Sequence, residues 1–167
     1  CICSLTKTGH CCIYKEQKMD IPLTLKALTK IAKEYSTSGV DGIAPSSMTP
    51  GIVKEVRKIL NKEKKELIPI MSYSTKFASN FYGPFREAAD SAPQFGDRRE
   101  YQLDVKSRKS AVSSSIAYAN EGADILMVKP GLTSIDLISE IRHVTKKPVG
   151  AYHVSGEFAS LKILDKS

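Results

Sequence analysis

Residues 107–154 read SRKSAVSSSIAYANEGADILMVKPGLTSIDLISEIRHVTKKPVGAYHV, and the order of elements within them decides the fold. Ser107 to Glu121 is helix-compatible and stops at Gly122, a residue that ends helices readily because it lacks a Cβ. Asp124 to Val128 is a short apolar run of the kind shown by a strand buried on both faces. Pro130 and Gly131 turn the chain, Ser134 caps a helix running to about Val144, and Val149 to Val154 forms another strand. Helix, strand, helix, strand in so few residues predicts parallel strands joined by crossover helices.

The alternation continues toward the N-terminus. Leu25, Leu28, Ile31, Ala32 and Tyr35 lie on one stripe of a helix over Thr24–Ser38, with Pro22 before it and Gly39 as its stop. VDGIA (40–44) reads as a strand, Ile52, Val53, Val56, Ile59 and Leu60 as a second helical stripe, and Leu67 to Met71 as the next strand. With an edge at Ile2, five parallel strands are expected. A complete (β/α)8 barrel takes ~250 residues, so residues 1–167 are expected to form a single domain that is the middle of such a barrel, with both ends cut from something longer. The predicted class is therefore α/β, an incomplete barrel of the TIM-barrel family.

Composition narrows the function. With 41% hydrophobic and 26% charged residues the chain can bury a core, and no apolar run approaches the ~20 residues a bilayer demands. The first residues have no signal-peptide pattern, and a cytoplasmic protein without a membrane partner is expected. The net charge of +7 comes largely from KEVRKILNKEKKE (54–66), where lysine and glutamate alternate as on a solvated helix face. No aromatic side chains interleave there to stack on bases, so nucleic acid is not expected as a partner.

Two lysines close apolar runs: Lys76 after LIPIMSYST and Lys129 in ADILMVKP. A lysine that ends a strand is usually no more than a polar cap. Two in one shielded pocket are different, because burial and mutual repulsion disfavour both ammonium forms. A neutral amine attacks ketones, so such a pair can hold two carbonyl substrates as Schiff bases. Cys1, Cys3, Cys11 and Cys12 all fall in the first dozen residues, a poor arrangement for stapling a fold. Cys1, Cys3 and Cys11, with Gly9 and His10 turning the chain, can instead converge three thiolates on one metal ion and leave a position open. Cys12 is read as a bystander.

Cys1, Cys3, Ser46, Lys76, Lys129 and Ser155 all lie at or beyond the carboxyl end of a predicted strand, the rim where such folds bind ligands. Residues 77–104 are longer than a connection requires and rich in Gly, Pro, aromatics and Arg, which suits a lid. Within it Arg86 and Arg98 can clamp a carboxylate, and Tyr82 and Phe85 can wall an apolar pocket. Ser46 and Ser155 are candidate donors to a carboxylate or hydroxyl.

The runs CICSLTKTGHC, IAPSSM, MSYSTKFASNFYGPFREAADSAPQFGDRREYQ, GADILMVKP and AYHVSGEFA resemble the porphobilinogen synthase (aminolevulinate dehydratase) family, in order and along the whole chain. The resemblance implies a hydro-lyase that condenses two molecules of 5-aminolevulinate into porphobilinogen with loss of two waters, on the route to haem and other tetrapyrroles. It implies a (β/α)8 barrel with an N-terminal arm, assembled as a homo-octamer. Position by position it makes Lys129 the amine for the first substrate and Lys76 that for the second. Cys1, Cys3 and Cys11 become ligands of a catalytic Zn2+, and an allosteric Mg2+ is admitted beside it. Arg86 and Arg98 clamp the second substrate's carboxylate with Gln102 beside them on the lid, Ser155 contacts the first substrate's carboxylate, Tyr82 and Phe85 form the apolar wall, and Ser46 lies near the amines.

The chain departs from the family in places. The family's acidic, methionine-rich turn after the serine reads SSMTPG here, and its second histidine before GHC is Thr8. An aspartate before the first cysteine, a tyrosine after the present C-terminus, and the flanking barrel segments with the oligomerising arm fall outside these residues. Two other readings stand beside the enzyme: a truncated, inactive fragment that binds zinc or pairs with subunits, and an aldolase-like lyase. The second leaves Lys76 and the thiolates without a role.

Overall fold

The computed structural model of the chain describes residues 2–3 and 5–165. A two-residue hairpin opens it, β1 (Tyr14–Lys15) against β2 (Lys18–Met19), followed by helices α1 (Ile21–Thr37) and α2 (Ile52–Lys62). Strand β3 (Met71–Lys76), a 3-10 turn at Asn80–Tyr82 and short helix α3 (Gly83–Ala88) come next. Then follow α4 (Arg108–Asn120), β4 (Ile125–Lys129), α5 (Asp136–Thr145), β5 (Val149–Ala151) and α6 (Ser155–Leu164).

The strands β3, β4 and β5 lie side by side in that order, all parallel. Ile43 adds one parallel bridge to Ile70 just before β3, so VDGIA contributes to the sheet at a single residue pair. Ile2 is buried at 3% exposure but belongs to no described strand. The last strand stops at Ala151, three residues short of the expected Val154.

Local chemistry sets the helix limits. The Asp20 carboxylate accepts from Leu23 N at 2.9 Å and starts α1, with Pro22 in its first turn, where a missing N–H costs nothing. Ser107 caps α4 in the same way through Ser110 N. Ser134, expected as a helix cap, is instead buried in a 3-10 turn ahead of α5. Gly51 enters α2 at φ 81°, a conformation costly for a residue with a Cβ. The core formed by Ile52, Val56, Leu60, Ile70, Leu126 and Ile141 lies between the sheet and these helices.

Strand β3 begins where the sequence suggests a strand should end. Its residues Ser72, Ser74 and Thr75 are polar yet 0–1% exposed. They tolerate burial because α4 offers matching groups: Ser115 Oγ meets Thr75 Oγ1 at 2.8 Å and Ser74 Oγ at 3.2 Å, and Ser114 Oγ donates to the Ser74 carbonyl at 2.7 Å. A paired hydroxyl escapes most of the desolvation cost of an unpaired one.

Candidate active site

Lys76 and Lys129 are register partners, each the last residue of its strand. Adjacent partners in a ladder project to the same face. The match depends on a bulge: Ser72 opposes Leu126 whereas Thr75 opposes Val128, so β3 carries one extra residue. Without it Thr75 would oppose Lys129 and Lys76 would point to the other side, since a one-residue slip inverts a strand's faces.

Lys76 is 7% exposed, and its Nζ donates to the Ser46 carbonyl at 2.8 Å. Ser46 thus reaches the amine through its backbone. The Lys129 ammonium sits 3.6 Å from the Tyr152 ring centroid, 5.2 Å from that of Tyr73 and 5.7 Å from that of Tyr82. Burial, reinforced by the Lys76 charge and opposed by the Cys11 thiolate, lowers the Lys129 pKa to about 8. Burial also lowers that of Lys76; Cys11 opposes the shift, and Arg98 and Arg86 add to it. Ring faces attract cations, so they work against burial for the free amine but would support the permanent cation of a protonated imine. Tyr73 and Tyr152 carry no role in the sequence reading. Both lie within the family-like runs, yet only the register turns them toward the amines.

Cys3 and Cys11 act as a neighbouring pair. The Cys3 thiol lowers the Cys11 pKa to about 5, with Lys76 and Arg98 assisting, while Cys11 and burial push Cys3 up. Burial raises Cys12 to about 12; it packs beside Tyr101 as an inert thiol. Cys1 lies outside the described residues, and among the described residues no group of three metal ligands converges.

The lid is tied down at both margins. Leu103 N donates to the Lys76 carbonyl and Ala78 N to the Leu103 carbonyl, so residues 77–103 close as a loop over the end of β3. Arg98, 8% exposed, donates through Nη2 to the carbonyls of Gly9 at 2.8 Å and Ser91 at 2.5 Å. His10 Nε2 faces the Phe95 carbonyl at 2.9 Å and so carries its proton there, leaving Nδ1 to accept from the Tyr101 hydroxyl at 3.0 Å. That hydroxyl in turn accepts from Cys11 N at 3.2 Å. The cysteine turn and the lid are thereby one hydrogen-bonded body.

Several buried polar atoms of this loop have no partner among the described residues: Arg86 Nε, Arg98 Nε, and both Nε2 and Oε1 of Gln102, a side chain only 5% exposed. The Arg86 guanidinium stands 5.3 Å from the Tyr82 ring centroid. Tyr82, Phe85, Lys129, Tyr152 and Ser155 line a cavity of about 140 Å³. Phe85 is nonetheless 58% exposed, a wall on the open side only. The Ser155 hydroxyl accepts from Phe85 N at 3.0 Å, so in this state it joins α6 to the lid. A larger cavity of about 280 Å³ lies beside Phe77, Arg108 and Pro130, but neither lysine lines it. Sequence reasoning also missed Glu157, 1% exposed and hydrogen-bonded to the turn after Lys129.

Parallel strands, crossover helices and a polar rim at the strand carboxyl ends define part of a barrel of the (β/α)8 class, here with paired lysines on that rim. The chain belongs to the delta-aminolevulinic acid dehydratase family, which it matches over residues 1–167. It is 48% identical over 166 residues to the delta-aminolevulinic acid dehydratase of Helicobacter pylori, covering 99% of this chain and 51% of that one. It is 44% identical over 167 residues to that of Archaeoglobus fulgidus, covering 100% and 52%. The crystal structure of the Toxoplasma gondii delta-aminolevulinic acid dehydratase (porphobilinogen synthase), in complex with the reaction product porphobilinogen, superposes with a TM-score of 0.93 at 41% identity, over 98% of this chain and 47% of that one. The chain spans about half the length of the relatives it matches.

Proposed function

We propose that this chain supplies the lysine-bearing half of a porphobilinogen synthase site, in which two molecules of 5-aminolevulinate condense to porphobilinogen with loss of two waters. Lys129 takes the first substrate and Lys76 the second, each amine attacking a ketone carbon and releasing one water as the imine forms. Both amines return when the pyrrole leaves, so the two waters balance the reaction. The reading rests on one observation: Lys76 and Lys129 are register partners whose amines are both driven toward the neutral, nucleophilic form. The unpartnered N–H groups of Arg86 and Arg98, with Gln102 Nε2 beside them, support an assignment to the second substrate's carboxylate, because buried donors without partners among the described residues are what an anionic ligand satisfies. Tyr82 and Phe85 exclude water on the Lys129 side, and Ser155 is freed for a carboxylate if the lid shifts from Phe85 N.

The donor chemistry fits zinc. A Cys11 thiolate beside Cys3 is a soft sulfur pair, and Cys1 completes a three-cysteine set in the sequence. When bound, the ion supplies Lewis acidity toward the second substrate. Lys76 stays close enough for its charge to favour the Cys11 thiolate, which links metal loading to the nucleophile. Assembly as a homo-octamer and a reducing, cytoplasmic setting belong to the same reading; free thiols suit that compartment. Among the described residues no helix is long and apolar enough to cross a membrane.

Borohydride reduction in the presence of 5-aminolevulinate tests the proposal. An adduct at Lys129, followed at higher substrate by one at Lys76, is expected by peptide mapping. No adduct at either lysine overturns the reading. The Cys3→Ser variant is expected to lose bound zinc while retaining the Lys129 adduct.

A further inference from the structure

We infer that Glu157 is a positioning residue that holds the Lys129 amine against the Tyr152 ring by clamping the backbone after β4 to the backbone after β5. The inference rests on the reading of Lys129 as a Schiff-base nucleophile. Glu157 is a carboxylate at 1% exposure, and among the described residues no cation pairs with it at ion-pair distance. It is surrounded instead by four backbone N–H groups. Oε1 accepts from Leu132 N at 2.7 Å and Thr133 N at 3.3 Å; Oε2 accepts from Val154 N at 2.8 Å and Gly131 N at 3.3 Å.

A glutamate in the first turn of α6 that accepts from the N-cap amide accounts for the Val154 bond alone. The other three reach a different segment, the turn immediately after Lys129 and Pro130. Gly131 N also donates to the Tyr152 carbonyl at 2.7 Å, and a Cβ on Gly131 would lie 3.1 Å from that oxygen. The segment carrying the amine and the residue carrying the ring are therefore pinned on both sides of the 3.6 Å contact between them. The same helix start is seated elsewhere too: a Cβ on Gly156 would meet the Phe81 carbonyl at 2.6 Å, and Ser155 holds Phe85 N. Residues 155–157 are thus a keystone between the lid and the Lys129 turn.

Only a side chain with two acceptor oxygens serves all four amides. Glutamine keeps the shape, but its NH2 would face N–H donors on one side. Aspartate keeps both acceptors and is shorter by one carbon. The test is competitive acetylation of Lys129 across pH, read by mass spectrometry on the full chain, for the wild type, Glu157→Gln and Glu157→Asp, with circular dichroism verifying the fold. Wild-type Lys129 should become reactive through about pH 8. In Glu157→Gln the amine swings toward water, so its labelling at pH 8 should fall roughly tenfold as it returns toward the ordinary lysine range. Glu157→Asp should lie between the two, and borohydride trapping of 5-aminolevulinate should follow the same order.

A folded Glu157→Gln chain with the wild-type profile overturns the inference. If that variant does not fold, Glu157→Asp decides: a wild-type profile there overturns it equally. A wild type that labels as expected and responds to both substitutions, but never traps 5-aminolevulinate, instead sinks the reading of Lys129 as a Schiff-base nucleophile and leaves the clamp standing.

Discussion

The two rims of the sheet are built on opposite terms. At the amino ends of β3 and β4, Arg57 donates to the carbonyls of Glu66, Ile68 and Gly122 and to Asp124 Oδ2, and that carboxylate also accepts from Ile70 N at 2.8 Å. Each named group there has its partner. At the carboxyl ends, two lysines stand side by side, the Cys11 thiol is buried with its pKa lowered, and Arg86, Arg98 and Gln102 keep polar atoms without partners among the described residues. One rim spends its polar groups on holding strands together. The other leaves several of them unpaired among the described residues, which costs stability.

The largest expected effect is at the carboxyl rim. Lys129→Met should abolish the first 5-aminolevulinate adduct and lower condensation on the order of 10³-fold or more, the scale seen when a covalent nucleophile is removed. It should also stabilise the fold, in a pH-dependent way. The folded pKa of about 8 lies below the ordinary 10.5, so the unfolded chain holds the proton more tightly. The wild type therefore carries the full penalty below pH 8, loses it as pH rises toward 10.5, and shows the greatest gain from the substitution in acid. Thermal melts of both chains at pH 7 and pH 10 check this; an equal gain at both values would mean that the amine is not strained.

The two rims also differ in how much of them the sequence reveals. ILMVK followed by Pro-Gly reads as a buried strand and a turn because apolar runs and turn residues act locally. β3 reads several residues too early because SYSTK looks like a solvated strand exit; its burial depends on Ser114 and Ser115, some 40 positions away. The bulge that turns Lys76 onto the face of Lys129 has no sequence signal, and neither do the rings of Tyr73 and Tyr152 as a cage, since both follow from register. The spacing of the cysteines offers a thiolate cluster, but Cys1 lies outside the described residues, and nothing in the spacing signals the hydrogen-bonded union of this turn with the loop through His10 and Tyr101. The family-like runs named the candidate side chains; the tertiary pairings that hold them in place could only be seen in three dimensions.

At the amino rim the effect should be on stability alone. Asp124→Ala leaves Ile70 N without its acceptor and Arg57 without its charged partner, at a cost of about 2 kcal/mol for the lost hydrogen bonds after allowing for solvent screening. Arg57 is 19% exposed and Asp124 44%, so the ion pair itself adds little beyond that. Urea unfolding should show the loss, while the adduct yield per folded molecule at Lys129 stays at the wild-type level. A fall in adduct yield at unchanged stability would mean that the two rims are not independent.

The smallest effect carries the sharpest contrast, because its sign is reversed. Gln102 is 5% exposed, with neither amide atom bonded among the described residues, so its burial is a net cost. Leucine has nearly the same volume and nothing to desolvate. Gln102→Leu should therefore raise stability by about 1 kcal/mol while weakening the second substrate, seen as a higher 5-aminolevulinate concentration needed to label Lys76, with Lys129 labelling unchanged. Asp124→Ala lowers stability and spares chemistry; Gln102→Leu does the reverse. If Gln102→Leu destabilises the chain instead, its amide is part of the scaffold, and the carboxyl rim is as fully satisfied as the amino rim.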